Sequence, residues 1–312
     1  MGIVVIGAVF VDIKGYPEAG YIPTGRNAGK IHQVHGGVGR NAAEDIANCE
    51  LRPTFVSLVD QSTAGAEVIR KLKKHKVNTS YMRAMENGMG TWLAVFDDAG
   101  DVSASVSQRP DLSPVAEILD HQGDEIFKHA DSVLMEIDLD KETVKRIFSL
   151  AKKYHKKVFA MVSNMNIALE RRDFLKSTDC FICNQQEFGI LCSDDYMEKT
   201  PEEMKKILAQ RVCTAGIPSM IVTMGSQGAV YADLHGNQGW YPARKVNVKD
   251  TTGAGDAFSA GAAIGLTYGK TLPEACDIGS MLAASVIATT ENVCPRFQPG
   301  ELGLSIEVPD YV

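Results

Sequence analysis

Short apolar runs, rich in β-branched residues and bounded by turn residues, recur along the chain at positions 3–6, 53–59, 132–135, 157–161, 180–183 and 220–223. Their length and their lack of strict alternation predict buried strands. Segments 41–48, 64–74, 141–154 and 201–215 lie between them and carry helical apolar spacing. Strand, helix, strand in this order predicts βαβ units, a mainly parallel sheet and an α/β fold, with ligands beyond the carboxyl ends of the strands. Two stretches break the alternation, at about 12–35 and 91–108, and look extended; in the second, Asp97-Asp98-Ala99-Gly100-Asp101 reads as a turn between alternating runs. Together they predict a small β layer over the edge of the sheet, with the form of a lid that excludes water. No internal repeat, low-complexity tract or linker divides the chain, so residues 1–312 are expected to form one domain.

Composition narrows the function. With 312 residues, 45% of them hydrophobic, the chain can bury a large core. A formal net charge of -7 argues against nucleic acid as the main partner, because phosphate-backbone affinity needs clustered Lys and Arg. No apolar run approaches the roughly 20 residues a membrane span requires. The seven cysteines form no disulfide framework and no cleavable leader is evident, so a reducing, cytoplasmic setting is expected. Cys180 and Cys183 sit in an apolar run without a second pair, and are read as strand or core residues.

The chemistry concentrates near the C-terminal end. After a run of β character at 240–248 comes Asp250-Thr251-Thr252-Gly253-Ala254-Gly255-Asp256-Ala257-Phe258, followed by a small-residue helical pattern. Gly253, Ala254 and Gly255 let the backbone approach a ligand, and a helix starting there aims free N–H groups at an anion. Asp256, in the first turn, would accept the proton of an attacking hydroxyl while those N–H groups stabilise a transferring phosphoryl group.

Three further clusters fall where such a reaction needs them. Asn184-Gln185-Gln186-Glu187 leaves the strand at 180–183; Glu187 there suits Mg²⁺ held through water, and an Asn helix cap closed by Glu would look the same. Thr223, Gly225, Ser226 and Gly228 follow the strand at 220–223, where they admit nucleotide phosphates or form a tight strand-to-strand turn. Gly36, Gly37 and Asn41 open the first helix, with N–H groups and an amide suited to hydroxyls.

In this order, the segments Gly36-Gly37 to Asn41, Asn184 to Glu187, Thr223 to Gly228 and Asp250 to Phe258 make the chain resemble the ribokinase-like (PfkB) family of carbohydrate and nucleoside kinases. The resemblance implies a three-layer fold with a β lid that often supplies a homodimer interface. It also implies ATP and Mg²⁺ as co-substrates and Asp256 as catalytic base. It further implies that Asp12, Gly37, Asn41 and Glu136 bind the substrate, and that Asp250 and Thr252 hold a monovalent cation such as K⁺. Segments 27–44 and 231–240 resemble members acting on pseudouridine, which implies transfer to the 5′-OH of that nucleoside. Other expectations are a fructokinase-like or ribokinase-like sugar kinase, another nucleoside kinase, or a ligand sensor without catalysis. Val38, where ribose-specific members tend to carry Lys, makes ribose a poorer acceptor. Met161-Val162-Ser163-Asn164 and residues 288–292 depart from the family's metal and cation patterns. A sugar phosphate would call for basic residues at the pocket, for which Lys30, Arg40 and Arg109 are the candidates.

Overall fold

The computed structural model describes residues 2–97 and 102–306. Its elements, in chain order, begin with β1 (Gly2–Ile6), β2 (Phe10–Pro17), β3 (Gly29–Gly36), α1 (Val38–Asn48), β4 (Thr54–Val59), α2 (Thr63–Lys74) and β5 (Met82–Ala84). There follow β6 (Gly90–Phe96), β7 (Val102–Gln108), α3 (Val115–Lys128), β8 (Ala130–Glu136), α4 (Lys141–Lys153), β9 (Lys157–Met161), α5 (Met165–Ala168) and β10 (Cys180–Asn184). The chain continues with α6 (Gln185–Cys192), α7 (Pro201–Ala215), β11 (Ser219–Thr223), β12 (Ala229–Asp233), β13 (Gln238–Tyr241), α8 (Ala254–Thr267) and α9 (Leu272–Ile287).

Among the described residues, nine strands form one sheet in the order β13-β12-β11-β10-β9-β8-β1-β4-β5. Every pairing from β11 across to β5 is parallel, and β12 and β13 close the far edge as an antiparallel hairpin. Successive strand residues face opposite sides, which divides the core into two layers. Val4 and Ile6 pack with residues of α3, α4, α6 and α7; Ile3 and Val5 pack with α1, α2, α8 and α9. Burial on both faces explains why these strands read as continuous apolar runs. The fold is therefore the three-layer ribokinase-like α/β arrangement the motifs implied.

The crossovers run outward in both directions from β1. Strands β4 and β5 extend one way, β8 to β11 the other, so β1 and β8 flank the point where the topology reverses. A crevice beyond the carboxyl ends of the strands is the expected ligand position.

A separate four-stranded sheet, in the order β3-β2-β6-β7, rises from that edge. It contains both stretches that broke the alternation, and its register puts Asp12 opposite Val34 and Trp92, and Lys14 opposite His32 and Ala94. These residues share one face. Ile31, Leu93 and Val106 lie on the other, at 75%, 44% and 70% exposure. Of the turn expected at Asp97 to Asp101, all but Asp97 lies outside the described residues.

The β run expected at 240–248 is a strand only as far as Tyr241; the chain is then irregular up to the start of α8. The small-residue helix is α8, wholly buried from Ala257 to Gly265 and packed along α9. Its close approach depends on Gly261, where an added Cβ would lie 2.8 Å from the Cα and N of Gly279. Two effects oppose each other at that position: Ala favours helix by about 1 kcal/mol over Gly, and overpacking against backbone costs about 1–3 kcal/mol. The backbone cannot yield cheaply, so the cost should approach its upper end, and Gly261→Ala is expected to lower unfolding free energy by up to about 2 kcal/mol, read from urea unfolding midpoints. An unchanged or raised midpoint would mean that the two helices can move apart.

Candidate active site

The N-terminus of α8 sets the geometry. Gly253 precedes the helix with φ 84°, a left-handed conformation, and an added Cβ there would come within 2.1 Å of the Asn292 carbonyl oxygen. No side chain caps the helix. The first N–H groups of the helix therefore stay available to an anion, and the helix dipole favours one there.

Asp256 stands in this first turn, and its Oδ2 accepts a hydrogen bond from Asn41 Nδ2 at 2.7 Å. The orientation of the Asn41 amide is determined by its other end, because Asn41 Oδ1 accepts from Arg40 Nη1 at 2.5 Å. Arg40 is itself fixed, donating to the His35 carbonyl at 3.0 Å and pairing with the buried Glu44. Burial raises the Asp256 carboxyl to about 7; the Asn41 bond opposes the shift, and the charges of Asp12 and Glu187 add to it. A carboxylate with this pKa suits general-base work near neutral pH.

Asp12 lies next to this group, on the face of β2 that it shares with Lys14. It too is pushed up, to about 6, by burial, against the pull of Lys14 and Arg40. Gly36 leaves room for it, since a Cβ there would lie 2.2 Å from Asp12 Oδ2, and Gly37 turns the chain into α1 at φ 101°. The structure thus brings Asp12, Gly36, Gly37, Asn41 and Asp256 together from opposite ends of the chain.

Glu136, expected at the substrate, is engaged by the backbone around it. It is fully buried at the end of β8, and its Oε1 accepts from the N–H groups of Ala8 (2.8 Å) and Gly39 (2.7 Å), while its Oε2 is buried without a partner. Through Oε1 it clamps the segment after β1 to the start of α1. Burial and the charge of Asp138 raise its carboxyl to about 8, so it is largely protonated at neutral pH.

On the other side of the crevice, Asn184 and Thr223 are paired in register at the ends of β10 and β11. Asn184 caps α6, its Oδ1 accepting from the Glu187 N–H, while Glu187 Oε2 accepts from the Asn184 N–H, both at 2.8 Å. The cap engages Oε2 alone. Burial raises the Glu187 carboxyl, and the charge of Asp138 adds to the shift. Gly225, Ser226 and Gln227 form a single 3₁₀ turn, closed by a 2.7 Å bond from Met224 N–H to the Gly228 carbonyl, so this segment is the hairpin turn between β11 and β12.

Sequence reasoning passed over two residues. Asp138 accepts from the N–H groups of Ser163 and Asn164, both at 3.0 Å, and from Arg109 Nη2 at 2.8 Å, so it occupies the departure from the family's metal pattern. Lys14 Nζ lies 3.3 Å from Asp250 Oδ2, 3.2 Å from Thr252 Oγ1 and 3.4 Å from Asn292 Oδ1. The positions expected to hold a monovalent cation therefore hold a lysine ammonium. Its signal was readable: two residues along a strand from Asp12, Lys14 must share its face.

The residues from 2 to 294 match the profile of the pfkB family carbohydrate kinases. The chain belongs to the pfkB family. Family membership makes it a phosphotransferase acting on a hydroxyl acceptor. It is similar to guanosine-inosine kinase from Exiguobacterium acetylicum, with 35% identity over 292 residues, covering 93% of this chain and 95% of that protein. To pseudouridine kinase from Escherichia coli K12 it is 25% identical over 263 residues, covering 84% and 82%. Among solved structures, ribokinase from Arabidopsis thaliana complexed with ribose and ATP superposes with a TM-score of 0.80 at 21% identity, covering 96% of this chain and 97% of that one.

Because the carboxyl of Asp256 is raised to about 7, its base form appears as pH rises through that value, and the carboxylate fraction grows from about one tenth at pH 6 to about nine tenths at pH 8. The acceptor kcat/KM should climb about tenfold across that window with a single ionisation. Asp256→Asn should lose that limb along with about 10²–10⁴ of the rate, ATP binding being retained. A flat profile from pH 6 to 8, or near-normal turnover by the variant, would remove Asp256 from the role of base.

Proposed function

We propose that this chain is an ATP-dependent nucleoside kinase that transfers the γ-phosphate to the 5′-OH of its acceptor, with guanosine and inosine preferred over pseudouridine. The observation that carries the chemistry is the Asp256 carboxylate at the uncapped start of α8, held by Asn41 and tuned close to neutrality. In this reading Asp256 takes the proton from the attacking hydroxyl, and the N–H groups of residues 253–256 bind the migrating phosphoryl. Asp12, more acidic than Asp256, accepts hydrogen bonds from the remaining sugar hydroxyls alongside Asn41 and the backbone of Gly36 and Gly37. Thr223, Gly225, Ser226 and Gly228 line the donor side.

The charge of Asp138 adds to the raised carboxyl of Glu187, and a hydrated divalent cation bound there would relieve that repulsion. Mg²⁺ keeps much of its hydration shell, so few protein carboxylates are needed to hold it through water beside the donor's phosphates. Bound there, Mg²⁺ would neutralise charge on the phosphates.

Three features favour a neutral nucleoside acceptor. Of the three basic candidates for a sugar phosphate, Arg40 is buried against Glu44, Arg109 is paired with Asp138, and Lys30 is exposed on β3. Next, Trp92 lies opposite Asp12 on the inward face of the small sheet, at 6.3 Å from Phe96, which in turn stacks on Tyr16 at 5.0 Å; such rings suit a flat base. Last, the similarity to guanosine-inosine kinase is the stronger and longer of the two nucleoside-kinase relationships. Of the segments that suggested pseudouridine, 231–240 forms the β12–β13 hairpin at the far sheet edge, and 27–44 brings Gly36, Gly37 and Asn41 to the sugar side of the site while its Ile31 faces solvent. We read the small sheet as a lid, and its exposed Ile31, Leu93 and Val106 support a homodimer formed through its outer face.

With ATP, Mg²⁺ and a panel of guanosine, inosine, pseudouridine, uridine, adenosine, ribose and fructose, ADP release should give the purine nucleosides at least about tenfold higher kcat/KM than any sugar. A preferred sugar would remove the nucleoside assignment, and preferred pseudouridine would reverse the ranking. Trp92→Ala should raise the nucleoside KM by about 10-fold to 100-fold through lost stacking while changing ribose turnover little. Equal losses on both acceptors would mean that Trp92 only packs the lid.

A further inference from the structure

Lys14 is 3% exposed, and its ammonium is directed at three side-chain oxygens from segments remote in sequence: Asp250, Thr252 and Asn292. An ammonium has three donors and no acceptor, so three acceptors match its capacity. A buried cation with one charged partner and two neutral ones stays there only because that surrounding replaces its hydration. The acceptors are themselves fixed. Thr252 N–H donates to Asp250 Oδ1 at 2.8 Å, and the Asn292 carbonyl lies directly under Gly253. One side chain on a lid strand therefore holds both loops that shape the backbone just before Asp256.

We propose that Lys14 is the resident cation of the phosphoryl-transfer site: its tethered ammonium takes the place of an exchangeable monovalent ion, and through Asp250, Thr252 and Asn292 it keeps the Gly253 loop in register with the lid. Lys14 is a positioning residue, acting on the reaction through the loop rather than by touching the transferred group. The proposal rests on the kinase reading for its kinetic consequence, though not for the binding chemistry. A free ion would have to displace a group whose local concentration is set by the strand that carries it. The enzyme should therefore be indifferent to K⁺, and shortening Lys14 should create the requirement that the side chain now removes.

The experiment compares wild type, Lys14→Ala and Lys14→Met in KCl and in tetramethylammonium chloride at equal ionic strength. Wild-type kcat should agree within about twofold between the salts, and Lys14→Ala should lose about 30-fold or more in kcat in tetramethylammonium with a smaller change in acceptor KM. KCl should restore Lys14→Ala by about fivefold or more and raise its Tm by several degrees over tetramethylammonium, because the vacated oxygens accept K⁺ in the folded state only. Lys14→Met, whose apolar chain fills the space, should stay impaired in both salts. Wild-type activation by K⁺ of fivefold or more would overturn the proposal. So would near-normal kcat for Lys14→Ala in tetramethylammonium, or a folded Lys14→Ala that KCl neither activates nor stabilises. Should wild type phosphorylate no acceptor, the kinase reading fails, and the Tm comparison alone still decides whether Lys14 stands in for an ion.

Discussion

Acidic side chains crowd into one poorly solvated crevice, and the rest of the site is arranged around the energetic cost of that crowding. Asp12, Glu136, Glu187 and Asp256 all have carboxyls raised by burial, and the charges of Asp12 and Glu187 add to the shift of Asp256. Asp12, at about 6, ionises before Asp256, at about 7, so near neutrality the first is a ready acceptor while the second sits at the midpoint of its titration. Glu136, at about 8, escapes the repulsion by staying protonated under the sheet edge. A phosphate chain cannot be drawn into such a place by the acids. Attraction must come from helix N–H groups, from basic groups held close by, and from cations accompanying the phosphates.

The topology makes the crowding achievable. Because the crossovers reverse between β1 and β8, the segments leaving these strands part and open a crevice into which α1 and α8 both direct their N-termini. Both helices begin at a glycine with positive φ, and both glycines lie against backbone that leaves no space for a Cβ. Glu136 stitches the β1 exit to α1 through two N–H groups, and the α8–α9 pair, in contact at Gly261 and Gly279, seats the first turn of α8. Close backbone approach is what brings the Asn41 amide to within 2.7 Å of Asp256 across 215 positions of sequence.

Much of this was legible before any coordinates. Apolar runs buried on both sheet faces are conspicuous, and all six expected strands are present; the helix start and close backbone approach at Gly253 to Asp256 were readable from residue type alone. What escaped was whatever depends on partners distant in sequence. Glu136 ends a strand at the correct edge, which made it read as a substrate contact, yet only the three-dimensional approach of Ala8 and Gly39 shows that its oxygen is already engaged. Residues 242–248 contain β-branched Val246 and Val248, both exposed, so propensity suggested a strand where no neighbour exists to pair with it. Asp138 was silent because its three donors come from Arg109, Ser163 and Asn164, none adjacent in the chain. Asn184 with Glu187 fitted two readings, and the structure displays the cap while leaving one carboxylate oxygen outside it.

The two sheets carry different burdens, which bears on how acceptor choice can change without loss of chemistry. Everything that moves a proton or holds a phosphoryl group in the proposed mechanism hangs on the large sheet and its helices, whose positions are set by two continuous cores. The inward face of the small sheet instead presents Trp92, Tyr16, Phe96 and His32, rings held by one another and by strand pairing. Substitutions there alter the shape offered to a base or sugar at little expense to the packing beneath α8. The two parts are joined through β2, which carries Asp12 and Lys14 on one face, with the Lys14 ammonium reaching the loop before α8. In the proposed mechanism, the aromatic face of the small sheet is thereby connected, by one strand and one buried charge, to the backbone before Asp256.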